Sequence, residues 1–228
     1  MFENLDITLL ELLNGSSSSF MDGLMLMLTS GYTWIPLYVV LLYLVVNNSE
    51  TMSQIALVVG CALLCVILSG GICDYIIKPL VERVRPVNDV ALQNIVIHVY
   101  NASAKDFSFF SSHAANTFSI TVFFSLLVRN KRFSIALLCW ALINCYTRLY
   151  LGVHYASDVF VGILWGCAVG FFVYLIYSKF YSTFFTGGEY ISSQYTSKGY
   201  TIQSIDMVIL ILVFIYIYAI LGALVLFY

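Results

Sequence analysis

The sequence predicts an all-α integral membrane protein, a bundle of about six transmembrane helices. Three observations predict it. Of 228 residues, 61% are hydrophobic and only 10% charged, whereas a soluble domain carries about 25% charged residues. Mean hydropathy is +0.93, more apolar surface than a water-soluble fold of this size can hide, so lipid must serve as part of the solvent. Six apolar runs are separated by polar breaks. The net charge of −2, with no basic run, excludes a nucleic-acid partner.

The opening stretch MFENLDITLLELLNG carries acids and no lysine or arginine. A cleaved secretory signal needs a basic start, so this is not one. Leu5, Leu9, Leu10, Leu12 and Leu13 mark a short amphipathic helix, expected to lie along the membrane interface within residues 1–19. The first crossing segment covers 33–47, with FMDGLMLML as an optional upstream extension; its core is short for a ~30 Å hydrocarbon layer. The others cover 53–75, 112–128, 133–149 and 156–177, and the longest and most uniform covers 205–227. A polar loop fills 178–204, and residues 1–228 form one membrane domain. The six cysteines sit in or beside apolar runs and read as small packing residues. Gly162, Gly166 and Gly170 recur at four-residue steps, a spacing that lets another helix approach closely.

Sidedness follows from lysine and arginine counts in the loops. One face holds Arg129, Lys131, Arg132, Lys179 and Lys198; the other holds Lys78, Arg83, Arg85, Lys105 and Arg148. The faces tie until Lys78, Arg85 and Arg148 are set aside as chemical rather than topological. The RNKR face is then cytoplasmic.

Those three cations belong to clusters that fall, by parity, on one membrane face. In KPLVERVRP, Lys78 and Arg85 are seven positions apart, two turns of a helix that would place both on one side. Asp74 and Glu82, each four positions from Lys78, read as its ion partners. In FSFFSSHAANTF, Ser111, Ser112 and His113 stand at the start of an apolar run, where serine favours a helix terminus and free N–H groups bind anions. In TRLYLGVHYASD, Arg148 precedes His154, and Asp158 follows it by one helical turn. A carboxylate there can hold one ring nitrogen as N–H and leave the other lone pair free for attack. Singly, each cluster reads as a basic helix end, a cap or a buried histidine. Together they supply three cations, two histidines, a carboxylate and a helix N-terminus, a set suited to a phosphoryl group. His98, in LQNIVIHVYN, reads as a solvated residue on a short interfacial helix.

These clusters resemble the signature of the type 2 phosphatidic acid phosphatase (PAP2) family, whose fold is shared with vanadium haloperoxidases. Lys78 through Arg85 and Pro86 matches its first motif intact. Thr147, Arg148, His154 and Asp158 match the third, with threonine for serine. Phe110, Ser111, Ser112 and His113 align with the second, with phenylalanine for proline and serine for glycine. The resemblance covers about 20–177, which it implies is a PAP2/chloroperoxidase-like core; 205–227 is then an additional transmembrane helix.

The resemblance implies a lipid phosphatase with His154 as nucleophile, Asp158 orienting it and His113 protonating the leaving oxygen. Lys78, Arg85, Arg148, Ser111 and Ser112 would bind the phosphate. It implies no metal and no cofactor. The substrate would be a lipid phosphate held among membrane lipids, as in bacterial members that act on undecaprenyl diphosphate or lipid A. Such a site would face the periplasm or outside of a bacterial inner membrane. A lipid phosphotransferase and a non-catalytic lipid-phosphate binder are the alternatives. Nothing in the sequence sets an oligomeric state.

Overall fold

The structure is a computed structural model that describes residues 2–97, 99, 107–185 and 193–227. His98 and Lys105 lie outside the described residues. Within them the elements are helical, apart from an isolated bridge between Tyr195 and Thr201.

Helix α1 spans Phe2–Leu13 and α2 spans Ser19–Thr29, its first turn capped by Ser18. A short 3₁₀ turn leads into α3, Ile35–Asn47. The α2–α3 pair is bent by 63°. The first crossing segment is therefore the bent pair, with the FMDGLMLML run on its upstream arm.

Helix α4, Met52–Val66, starts from a capping box in which Thr51 and Gln54 satisfy each other's backbone donors. It runs on through two π-helical turns, Ile67–Gly71 and Cys73–Ile77, into the short α5, Lys78–Val81. Pro79 offers no N–H to the carbonyl four residues back, and the turns before it are wide. Ser69, in the first π turn, donates to Cys65 O and lies 2.6 Å from Asn116 Oδ1.

Helix α6, Ser112–Val128, is the centre of the bundle, with twelve of its residues buried. At seventeen residues it is about 26 Å long, short for a span, but neighbouring helices rather than lipid surround it. Helix α7 covers Lys131–Tyr150 and α8 covers Ala156–Phe184, seven residues beyond the expected end. Helix α9, Ile202–Phe227, packs on α2 and α3. The segment read as a polar loop is thus partly α8, partly a tight turn that buries Tyr200.

Gly162, Gly166 and Gly170 face α6. A Cβ on Gly162 would sit 2.6 Å from Ser111 O, and one on Gly170 2.5 Å from Ser119 O. Their use is close packing inside the bundle, which locks the two helices that carry the second and third clusters. Around this core, Leu63, Phe160, Leu164, Phe171 and Phe214 are all more than half exposed. Among the described residues, helices beginning at Met52, Lys131, Ala156 and Ile202 are long and apolar enough to cross a membrane, and the bent pair makes a fifth where its two arms count as one span. An apolar outside on helices of that length is the pattern of a bundle solvated by lipid.

Candidate active site

Four chain segments meet at one end of the bundle: the C-terminal end of α5, the start of α6, the end of α7 and the start of α8. The antiparallel run of these helices makes their ends coincide.

Lys78 is buried, with Nζ 2.6 Å from Asp74 Oδ1 and 3.3 Å from Ser112 Oγ. Glu82, the other expected partner, is exposed, forms no ion pair with Lys78 and adopts a left-handed φ of 51°. That residue stops the helix. Arg85 is consequently not two helical turns from Lys78 but on extended backbone before Pro86, at φ −75° and ψ 148°. The chain, not a helix face, brings the two cations to the site. Pro86 opens a 3₁₀ turn, Pro86–Asn88. The short helix expected around His98 is likewise a 3₁₀ turn, Val90–Leu92, followed by a turn; Leu92, Val96 and Val99 still bury their side chains.

Ser111 caps α6, its Oγ accepting from Ala114 N–H at 3.4 Å. Its own N–H donates to Asp158 O at 3.1 Å, which joins the starts of α6 and α8. Ser112 is the first helical residue, with its hydroxyl beside Lys78. His113 is exposed, within electrostatic reach of Arg148, His154, Lys78 and Arg85.

Arg148 Nη1 donates to Thr29 Oγ1 at 2.6 Å, and its Nε is buried without a partner. Thr147 donates to Asn144 O at 2.7 Å and lies 3.2 Å from the same Thr29 hydroxyl. Thr29 is the last residue of α2, so the bend in the first segment delivers this contact.

His154 is 1% exposed. Its Nε2 lies 3.3 Å from Arg85 Nη1, which also donates to Val153 O at 3.0 Å. A guanidinium only donates, so Nε2 must carry the lone pair and Nδ1 the proton. Nδ1 faces Asp158 Oδ2 at 3.6 Å, longer than a hydrogen bond, and has no other partner. Burial pushes the His154 pKa down to about 4; Asp158 opposes this, while Arg148 and Arg85 add to it. The imidazole is therefore neutral at pH 7.

Sequence reasoning counted Arg83 only as a loop charge and did not single out Asp6 or Thr29. Arg83 Nη1 lies 2.6 Å from Asp158 Oδ1, and its Nη2 lies 2.7 Å from Asp6 Oδ2. Asp6 had a detectable signal. It falls with Leu10 and Leu13 on one stripe of α1, and an acid in an apolar stripe needs a partner. Leu5 and Leu12, read as part of the membrane-facing stripe, are exposed while Asp6 and Leu10 are buried. The face α1 buries against the protein is thus set by Asp6 and Leu10.

The chain matches the model of the PAP2 superfamily over residues 59–182. It is 35% identical over 177 residues to the lipid A 4'-phosphatase of Bacteroides thetaiotaomicron, covering 77% of this chain and 78% of that protein. It is 29% identical to the lipid A 4'-phosphatase of Porphyromonas gingivalis, over 72% of this chain and 70% of that protein. It is 27% identical to an undecaprenyl-diphosphatase of Sulfolobus acidocaldarius, over 73% and 75%. The crystal structure of a transmembrane PAP2 type phosphatidylglycerolphosphate phosphatase from Bacillus subtilis has the same fold, with a TM-score of 0.55 at 20% identity, covering 80% of this chain and 87% of that one. Two histidines, His154 buried and His113 exposed, thus meet cations at one end of an apolar helical bundle. The chain belongs to the PAP2 superfamily and is an integral membrane phosphatase of that family.

Proposed function

We propose that the protein is a metal-independent lipid phosphatase that works through a phosphohistidine on His154. The observation that carries this is the orientation of the imidazole: its Nε2 lone pair faces Arg85 while Nδ1–H faces Asp158. Incoming phosphate oxygens would take over the Arg85 donors and release the Nε2 lone pair for attack on phosphorus. The bond to the lipid oxygen breaks, and His113 gives that oxygen its proton. The deprotonated His113 then accepts a proton from water as it hydrolyses the phosphohistidine. Lys78, Arg85, Arg148 and the Ser112 hydroxyl hold the phosphate oxygens, with the N-terminus of α6, capped by Ser111, supplying N–H groups. The cations carry the charge that a metal would otherwise neutralise.

The substrate proposed is a phosphate on lipid A, because two of the relatives act there. A groove of about 450 Å³ lined by Ile67, Gly70, Gly71, Asp74 and Tyr75 opens on the apolar side of the bundle and ends at the Asp74 that pairs with Lys78. Such a groove would let an acyl tail remain in lipid. Undecaprenyl diphosphate is the second reading, from the third relative. The charge count supports a site on the face opposite the RNKR turn, which we read as the periplasm or outside of a bacterial inner membrane.

The test is phosphate release by purified protein in detergent with EDTA, on lipid A and on undecaprenyl diphosphate, beside His154→Ala. Release from lipid A that the variant lacks supports the proposal. Release from undecaprenyl diphosphate alone replaces the substrate. Dependence on added metal, or activity retained by the variant, overturns the mechanism.

A further inference from the structure

Asp158 has to do two incompatible things. It must be buried deeply enough to exclude water from the imidazole, and it must stay ionised and fixed. A buried carboxylate without compensation is costly, and Asp158 is fully buried. Its counter-charge comes from a position that the first motif spans but leaves unspecified. Arg83, two residues before the motif arginine, supplies it.

We infer that Arg83 and Asp6 form a positioning clamp on Asp158, which makes the N-terminal helix α1 a working part of the active site. The inference rests on His154 being the nucleophile. Asp158 Oδ1 accepts from Arg83 Nη1 at 2.6 Å, and Oδ2 accepts from Tyr155 N–H at 3.0 Å. Those two bonds fix the carboxylate plane with Oδ2 turned to His154. Arg83 is itself held on three sides. Its guanidinium carbon lies 3.9 Å above the centre of the Tyr155 ring, a cation–π contact. Its Nη1 also donates to Ser157 Oγ at 2.8 Å, and Nη2 pairs with Asp6.

Asp6 closes the ring. Oδ2 accepts from Arg83 and from the Ser157 hydroxyl at 2.6 Å, while Oδ1 accepts from Ser157 N–H at 2.9 Å. Ser157 is the second helical residue of α8, so Asp6 satisfies an N–H that has no partner within the helix. One carboxylate thus neutralises the clamp arginine and anchors the helix that carries Asp158. It comes from a helix outside the 59–182 region of the family match. Lysine at 83 would keep the charge but not the planar fork that reaches Asp6 and Asp158 together.

The experiment measures kcat and KM for phosphate release from lipid A by wild type, Arg83→Gln, Arg83→Lys, Asp6→Asn and the double variant Asp6→Asn/Arg83→Gln. Folded protein is followed by gel filtration. Arg83→Gln should lower kcat at least ~30-fold with KM within ~3-fold, and Arg83→Lys should recover part of the loss. Asp6→Asn should lower kcat ~5-fold or more. The double variant should be no slower than Arg83→Gln, because both act through one carboxylate. Wild-type kcat in the Arg83 variants overturns the clamp. So does loss of folded protein in every variant, which would make the network a staple for stability alone. His154→Ala separates the two readings: activity retained there shows that the nucleophile assignment failed and takes the clamp with it, and a wild type silent on lipid A is measured on undecaprenyl diphosphate with the same expected ratios.

Discussion

Arg85 Nη1 stands 3.3 Å from His154 Nε2, so a permanent donor occupies the lone pair of a buried, neutral imidazole. The contact settles the tautomer. It also blocks Nε2 until another acceptor draws the guanidinium away. Phosphate is such an acceptor, and bidentate binding to arginine suits it. Arg85→Ala should therefore raise KM at least ~10-fold and also lower kcat, since in the proposed mechanism the guanidinium both holds the oxygens and meets charge that develops in the transition state. Steady-state kinetics on lipid A check this.

His154 should titrate near pH 4 rather than near its ordinary 6.5, because burial and two neighbouring guanidinium groups disfavour its cation. The sign is fixed by the chemistry. The protonated ring has no lone pair to attack with, so competence is present above about 4 and is lost as pH falls through it. Histidine NMR in detergent, assigned with His154→Ala, reads the value directly. A midpoint at 6 or above would contradict the burial of the ring.

Asp74 and Lys78 form a short ion pair, yet Asp74 is 47% exposed. A pair with one solvated partner contributes little, about 0–1 kcal/mol. Asp74→Asn should change KM less than ~3-fold, whereas Lys78→Ala should raise it ~10-fold or more. Equal effects would make Asp74 an active participant rather than a screen.

Thr29 gives Arg148 its shortest contact, at 2.6 Å. Thr29→Val keeps the shape and removes the acceptor. It should lower kcat/KM ~5- to 20-fold, consistent with the ~1.5–3 kcal/mol typical of a hydrogen bond to a charged group once re-solvation is discounted. Thr29→Ser should restore most of it.

Gly162→Val places a branched side chain where a Cβ alone would lie 2.6 Å from Ser111 O. Overpacking of this kind costs ~1–3 kcal/mol. It also pushes the start of α6 away from α8, so activity should fall more than ~10-fold while thermal stability in detergent drops. A variant with full activity would mean that the two helix starts need not touch.

Composition and apolar periodicity alone carried the helical membrane class and the positions of the apolar segments, because each depends on residues near in sequence meeting one solvent, lipid. Spacing also exposed the clusters around Lys78, Ser112, His113, His154 and Asp158, since motifs are local patterns. What only tertiary structure decided is how distant segments complete that chemistry. Glu82 ends the helix, so Arg85 arrives on extended backbone. Thr29 reaches Arg148 across 119 residues, and Asp6 reaches Ser157 across 151. Such contacts have no signature in spacing. A hydrogen bond is directional over about 3 Å, and that distance is set by how α1, α2 and α8 pack.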